Sequence, residues 1–226
     1  MKVLAIETSG SVTSVAFGED YKIFAELFLN TELKSSCTLM PAIRSILDCL
    51  KQSLSEVDAF ATSIGPGSFT GIRVGISAIK GMAFALKKPC IGVSSLEIIA
   101  TQVIVLNTKI VVVISAGFDR IYTASFKNCR RKLLRETEDR LLSLEEFKNY
   151  LKDINENIIL VGNASKKCLE SISEKTLKEK ISLFHENFNF PRASGVLKLA
   201  QKTSKTNSND LYAKYLCTPH YVYKKK

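Results

Sequence analysis

Ile64-Gly65-Pro66-Gly67-Ser68-Phe69-Thr70-Gly71-Ile72-Arg73 is the stretch on which the fold of this chain turns. Upstream, residues 57–64 form an apolar run that reads as a buried strand. Downstream, residues 71–86 carry apolar side chains at helical spacing and stop at Lys87-Lys88-Pro89. A strand, a glycine-rich turn and a helix N-terminus bring backbone N–H groups together. Such a turn either holds an anion or lets two backbones approach closely, and the residues leave both readings open. The spacing G-x-G-x-x-x-G has neither the Gly-Lys-Ser/Thr ending of a P-loop nor the rhythm of a dinucleotide-binding turn. Pro66 and Thr70 stand where a nucleophile elbow around Ser68 needs glycines. Gly65, Pro66, Gly67, Ser68 and Gly71 therefore read as a structural loop.

The helix beyond the loop carries Gly71, Gly75, Ala78, Met82 and Ala85 at three- and four-residue steps, with Gly81 beside them. Each interior glycine costs about 1 kcal/mol relative to alanine, so the stripe asks for an offsetting contact. The contact is either the chain's own sheet or a second subunit. With Ile72, Val74, Ile76, Ile79, Phe84 and Leu86 the helix has more than one face to cover.

Working outward, three short apolar or alternating runs open the chain at residues 2–6, 12–17 and 23–29. Glu7-Thr8-Ser9-Gly10-Ser11 and Gly18-Glu19-Asp20-Tyr21 punctuate them as hairpin turns. A helix over about 36–51 follows, with Leu39, Ile43, Ile46, Leu47 and Leu50 on one face and Pro41 expected near its first turn. After the glycine loop and its helix come a strand at 90–93 and a helix from 95 to about 103. The second half starts again with strands at 109–114, 121–126 and about 133–142. Helix 144–151, strand 158–161 and helices 164–172 and 193–203 complete it. Three antiparallel strands followed by alternating helices and strands fit an actin-like, ribonuclease-H-like half. The expected fold class is thus α/β with two related halves: residues 1–103, 104–206 and a polar link and basic tail over 207–226.

Thirty-two Lys and Arg against twenty-two Asp and Glu give a net charge of +10, a field that favours polyanions without specificity. The excess gathers at 127–135, at Lys166-Lys167, at 175–180 and in the final three lysines. Interleaved aromatics occur only near the tail, at Tyr212, Tyr215, Tyr221 and Tyr223, where an auxiliary RNA contact is conceivable. At 226 residues the chain buries roughly 70% of its unfolded surface on folding. No apolar run approaches the length of a membrane span, and only four apolar residues separate Lys2 from Glu7, too few for a secretory signal. Six dispersed cysteines with no C-x-x-C pair read as reduced thiols, and the expected compartment is the cytoplasm.

The segment "SIGPGSFTGIRVGISAIKGMAFALKKPCIGVSSLE", with the opening "VLAIETSGSVTSVAF" and, more loosely, "TLMPAIRSILD" and "YLCTPHYVYKKK", resembles the bacterial TsaB (YeaZ) family. Residues 1–100 carry the resemblance, which fades beyond them. It implies an actin-like fold and a non-catalytic, dimerising subunit of the tRNA threonylcarbamoyladenosine machinery. It further implies a TsaD-like partner holding the ATP, metal and transfer chemistry, a TsaE-like ATPase docking across the pair, and self-pairing when alone. The face expected to meet the partner comprises Leu39, Ile43, Ile46, Leu47, Gly71, Val74, Gly75, Ala78, Met82 and Ala85, with tRNA engaged indirectly.

Residues that could carry chemistry are few. In actin-like phosphotransferases the first hairpin holds a carboxylate near Mg-nucleotide, and the family usually has aspartate where this chain has Glu7. Glu7, Thr8 and Ser9 are weak cofactor candidates, set against a polar hairpin end in which Thr8 satisfies backbone. In the matching turn of the second half, Ser115 and Gly117 stand where the family has aspartate and arginine. His185 and His220 are isolated, so no metal site is expected. No catalytic set emerges. The alternatives are an actin-like phosphotransferase or ATPase acting on a small substrate, and a stand-alone RNA-binding protein.

Overall fold

The structure, a computed structural model, describes residues 1–129 and 132–216. Strands β1 (Lys2–Glu7), β2 (Thr13–Glu19) and β3 (Lys22–Leu29) form an antiparallel meander. The β2–β3 turn has two residues, Asp20 and Tyr21, at φ of 46° and 71°. Both positive angles give the mirror-image turn whose twist matches the strands. After helix α1 (Ser35–Leu50), strand β4 (Ala59–Gly65), helix α2 (Phe69–Leu86) and strand β5 (Cys90–Ser94) extend the sheet in parallel, in the order β3-β2-β1-β4-β5. β1 is covered on both faces and so reads as an unbroken apolar run: Leu4 and Ile6 join the core under α1 and α2, Val3 and Ala5 the opposite core. Pro41 falls in the second turn of α1, just past the first. Its ring nitrogen has no proton for the Cys37 carbonyl, a loss tolerated where both residues face water.

The second half comprises helix α3 (Ser95–Ala100), strands β6 (Lys109–Ser115), β7 (Arg120–Cys129), β8 (Lys132–Arg135) and β9 (Arg140–Ser143), helix α4 (Leu144–Lys152), strand β10 (Ile158–Val161), helices α5 (Ser165–Ser171) and α6 (Lys175–Glu179), and strand β11 (Ile181–Leu183). Its sheet runs β11-β10-β6-β7-β8, with β9 also on β7. β6–β7 and β7–β8 are antiparallel, β6–β10 and β10–β11 parallel. This repeats the plan of the first sheet, and the chain has the actin-like fold with two ribonuclease-H-like halves. The run expected as one strand over 133–142 is divided. Positions 126 to 123 on β7 face 135 to 140 on the partner strands, so two residues are extra and bulge out. The Glu136 and Thr137 N–H groups both turn to the Ser125 carbonyl there.

Helix α7 (Ala193–Ala200) corrects the grouping read from chain order. It follows the second half but lies on the first sheet, where Val196 and Leu197 meet Ala5, Ala16, Ala59 and Ala61. That face of small residues is shallow and needs a helix to close it. α3 in turn packs Leu96, Ile99 and Ala100 under Ile110, Val112 and Phe126 of the second sheet. The two helices touch and form the layer between the sheets. Among the described residues α2 is long and apolar enough to cross a bilayer, 18 residues at mean hydropathy 1.3, contrary to the expectation of no such run. Here it lies on the first sheet with Ile72, Ile76, Ile79 and Ala83 buried.

Candidate functional site: hairpin, glycine loop and outer helix face

The first hairpin is closed. Glu7, Thr8 and Ser9 are buried, and the glycine loop lies directly on them. The Ser68 N–H donates to the Ser9 carbonyl at 2.7 Å, the Ser68 hydroxyl caps α2 by accepting from the Gly71 N–H at 3.2 Å, and the Thr8 hydroxyl donates to the Gly71 carbonyl at 2.8 Å. A Cβ at Gly71 would strike the Thr8 carbonyl, and one at Gly75 would stand 2.5 Å from Thr8 Oγ1 and 3.0 Å from Thr62 Oγ1. Gly67 abuts the Ser9 carbonyl in the same way, while Gly65 and Pro66 are buried behind it. These glycines let the helix seat on the hairpin.

Glu7 is fully enclosed. Its Oε1 accepts from the Ser9 N–H at 2.5 Å and the Ser9 hydroxyl at 2.6 Å, and the Ser95 hydroxyl donates to Ser9 Oγ at 2.8 Å. Glu7 Oε2 and Ser63 Oγ are both buried with no partner. Burial pushes the Glu7 carboxyl above its ordinary value, with the hydrogen bonds from the Ser9 hydroxyl and N–H opposing. Ser63 and Ser95 went unremarked in the sequence, although hydroxyls at Thr62-Ser63 and Ser94-Ser95 interrupt otherwise apolar strand ends. Among the described residues no three His, Cys, Asp or Glu stand close enough to hold a metal ion.

The second hairpin is open. Ser115 to Arg120 lie largely in solvent, Gly117 has nothing within 4 Å, and Phe118 at the tip is 88% exposed. Lys167 ties down the Phe118 carbonyl and the Asp119 carboxylate, both at 2.9 Å. His185 accepts the Asn187 N–H on Nδ1 at 3.3 Å and rests its ring against Phe188. Part of the basic run at 127–135 is answered internally: Lys127 pairs with Glu156 at 2.7 Å, and Arg135 with Asp139 at 2.7 Å and Glu97 at 3.0 Å. Tyr221, Tyr223, His220 and the final lysines lie outside the described residues.

The expected partner face is corrected in large part. Leu39, Ile43, Ile46 and Leu47 are buried in the chain's own core, as are Gly71 and Gly75, because the apolar side of each helix faces the first sheet. Val74, Ala78 and Met82 are half-buried, and Ala85 is exposed. The outward sides of α1 and α2, which pack side by side, instead show Met40, Pro41, Ser77, Gly81 and Phe84. Phe84 is 74% exposed beside a hollow of about 670 Å³ walled by Ala83, Ala85, Lys87, Lys88, Pro89, Asn207 and Ser208.

Comparison with known proteins finds relatives of the whole chain. The family model of tRNA N6-adenosine threonylcarbamoyltransferase (TsaD) matches residues 30–225, beginning just after β3. The TsaB protein of Buchnera aphidicola (subsp. Schizaphis graminum), named for tRNA threonylcarbamoyladenosine biosynthesis, is 30% identical over 182 residues, 79% of this chain and 86% of that one. A threonylcarbamoyltransferase from Koribacter versatilis is 31% identical, but the match covers 52% of this chain and only 34% of the enzyme. YeaZ from Pseudomonas aeruginosa superposes with a TM-score of 0.80 at 23% identity, over 95% of this chain and 99% of that one. The match spans most of the Buchnera TsaB protein but a third of the Koribacter enzyme: the chain belongs to the TsaB (YeaZ) family of tRNA threonylcarbamoyladenosine biosynthesis proteins.

Proposed function

We propose that this chain is the scaffold subunit of the tRNA threonylcarbamoyladenosine machinery and performs no catalysis itself. It binds a TsaD-like catalytic subunit through the outward sides of α1 and α2, and a TsaE-like ATPase docks across the pair. ATP and metal are held by those partners, tRNA is reached through the assembly, and the work is done in the cytoplasm. Alone, the same face closes a dimer of two copies, which removes exposed apolar surface from water.

The observation that carries this reading is the contrast between a sealed first hairpin and an apolar outer helix face. Glu7 is 0% exposed and its hairpin is roofed by the glycine loop, while Phe84 and Met40 stand in solvent. A phosphotransferase needs the opposite: an open carboxylate turn, matched by a second one where this chain has Ser115.

The test is co-purification with the TsaD-like protein of the same cell. Phe84→Glu and Met40→Glu are expected to weaken association about tenfold or more while the melting temperature holds. Gly75→Leu is unsuitable, because a side chain there collides with Thr8 and Thr62 and damages the fold before it reaches any partner. Association untouched by both surface changes would overturn the helix-face reading. Steady ATP turnover by the lone chain, lost in Glu7→Ala, would overturn the scaffold reading itself.

A further inference from the structure

The bulge between β8 and β9 aims one carboxylate into the junction of the halves. The Asp139 side chain is fully buried. Arg135 Nη1 donates to its Oδ1 at 2.7 Å, and the Ser94 hydroxyl lies 3.1 and 3.2 Å from its two oxygens. Lys214 Nζ reaches Oδ2 at 3.3 Å and stands 3.6 Å from Glu138. Arg135 also bonds Glu97 at 3.0 Å and lies over the Phe126 ring. Three separate stretches thus converge: the end of the first sheet with the start of α3, the bulge of the second sheet, and residue 214. A carboxylate out of water requires its partners, since removing one leaves an uncompensated buried charge.

The stretch carrying Lys214 is bound along its length to the first half. Thr206 pairs with Cys90, each N–H donating to the other's carbonyl at 2.8 Å. Lys80 reaches the Leu211 carbonyl at 3.3 Å, and Leu211 is buried in the core beside Gly92. The Lys214 N–H donates to the Ile64 carbonyl at 2.8 Å, next to the glycine loop. Tyr215 stacks on Phe69 and accepts from Arg73 Nε at 3.0 Å, covering the first turn of α2.

We propose that residues 206–215 are a strap, with Asp139 as its catch, that locks the two halves in one arrangement. Backbone and apolar contacts hold the strap to the first half, and the Lys214–Asp139 pair fastens it to the second. Release of the catch frees the halves to move and loosens the end of the strap at Lys214, beside the N-terminal turn of α2. Neither membership of the family nor the scaffold reading requires this device.

Hydrogen exchange on the full chain tests it, because the Lys214 amide is itself bonded to Ile64. Lys214→Met, which leaves the Asp139–Arg135 pair in place, is expected to speed exchange of that amide at least tenfold. The amides of β1 and β6 should keep their rates. Asp139→Asn should do the same and enlarge the radius of gyration in small-angle scattering. Lys152→Met, which breaks the solvent-facing pair with Glu174, should change nothing at the strap. Unchanged exchange over 211–215 in both strap variants would overturn the proposal. So would equal acceleration of strap and sheet cores, which would make the carboxylate a general support of the fold. A freed strap with wild-type scattering would overturn the lock between halves.

Discussion

The two halves share one topology and use the same slot in opposite ways. In the first, the turn after β1 is a packing joint: Glu7, Thr8 and Ser9 are buried, the glycine loop rests on them, and Thr8 bonds the first turn of α2. In the second, the turn after β6 is a free tip, with Gly117 at φ 81° in open space and Phe118 in solvent. Gly67 and Gly71, pressed on the first turn, answer to steric closure, whereas Gly117 in the second answers to backbone conformation. The fold plan therefore does not dictate the use of a turn; the helix that follows does. α2 begins against its hairpin, whereas α5 reaches the second hairpin through Lys167.

The sharpest way to break this comparison is to add one methyl group where α2 presses on the first hairpin and one at the tip of the second. Gly71→Ala drives a Cβ into the Thr8 carbonyl, and neither backbone can yield without opening the hairpin. A loss of about 3 kcal/mol or more is expected, roughly 10 °C in melting temperature for a chain of this length. Gly117→Ala meets no atom and bears only the left-handed conformation, about 1 kcal/mol. Equal losses in thermal denaturation would erase the distinction between joint and tip.

Charge sharpens it next. Burial raises the folded pKa of Glu7, so the stability it contributes is full below the ordinary carboxyl value and fades as pH climbs through the raised one. Glu7→Gln carries no proton to lose, keeps an acceptor for Ser9 and offers an N–H to Ser63. Denaturation midpoints should show the variant more stable by about 1–2 kcal/mol at pH 7.5, with the difference shrinking below pH 5. A variant weaker at pH 7.5 would mean that the wild-type carboxyl is ionised and held by a cation. The counterpart change, Ser115→Asp on the exposed tip, should stay within about 0.5 kcal/mol.

The first sheet was legible because each of its strands is bounded by turn residues and its apolar runs alternate or persist as their burial demands. Asp20-Tyr21 and the glycine loop both sit where the sequence puts them. The second half yielded less. β11 has three residues, too few for a pattern, and the bulge that splits β8 from β9 arises from pairing with Ser125, a contact distant in sequence. Nothing in the string Ala193–Ala200 tells which sheet it covers; only the shallow alanine face of the first sheet decides that. The helix face went astray for a related reason. Leu39, Ile43 and Ile46 are spaced as an apolar stripe, and a stripe looks the same whether it meets the chain's own sheet or a partner's. Asp139, at the junction of the halves, lay inside the run over 133–142 that read as one strand, and nothing in that run marks its burial.

The smallest perturbation asks whether the halves come apart together. Among the described residues each buries one cysteine: Cys90 on β5, raised by burial, and Cys168 on α5, pushed up to about 12 by burial. At pH 8 a thiol so raised is ionised about a thousandfold less than an ordinary one, so Cys168 should resist a thiol reagent while the exposed Cys37 and Cys49 of α1 react at once. Labelling at these sites leaves the fold alone and reads it out along a urea series. With the strap fastened, Cys90 and Cys168 should become reactive at the same urea concentration. In Lys214→Met the two midpoints should separate, because the strap no longer couples one core to the other. Coincident midpoints in that variant would mean that α3 and α7, packed between the sheets, bind the halves without help from residue 214.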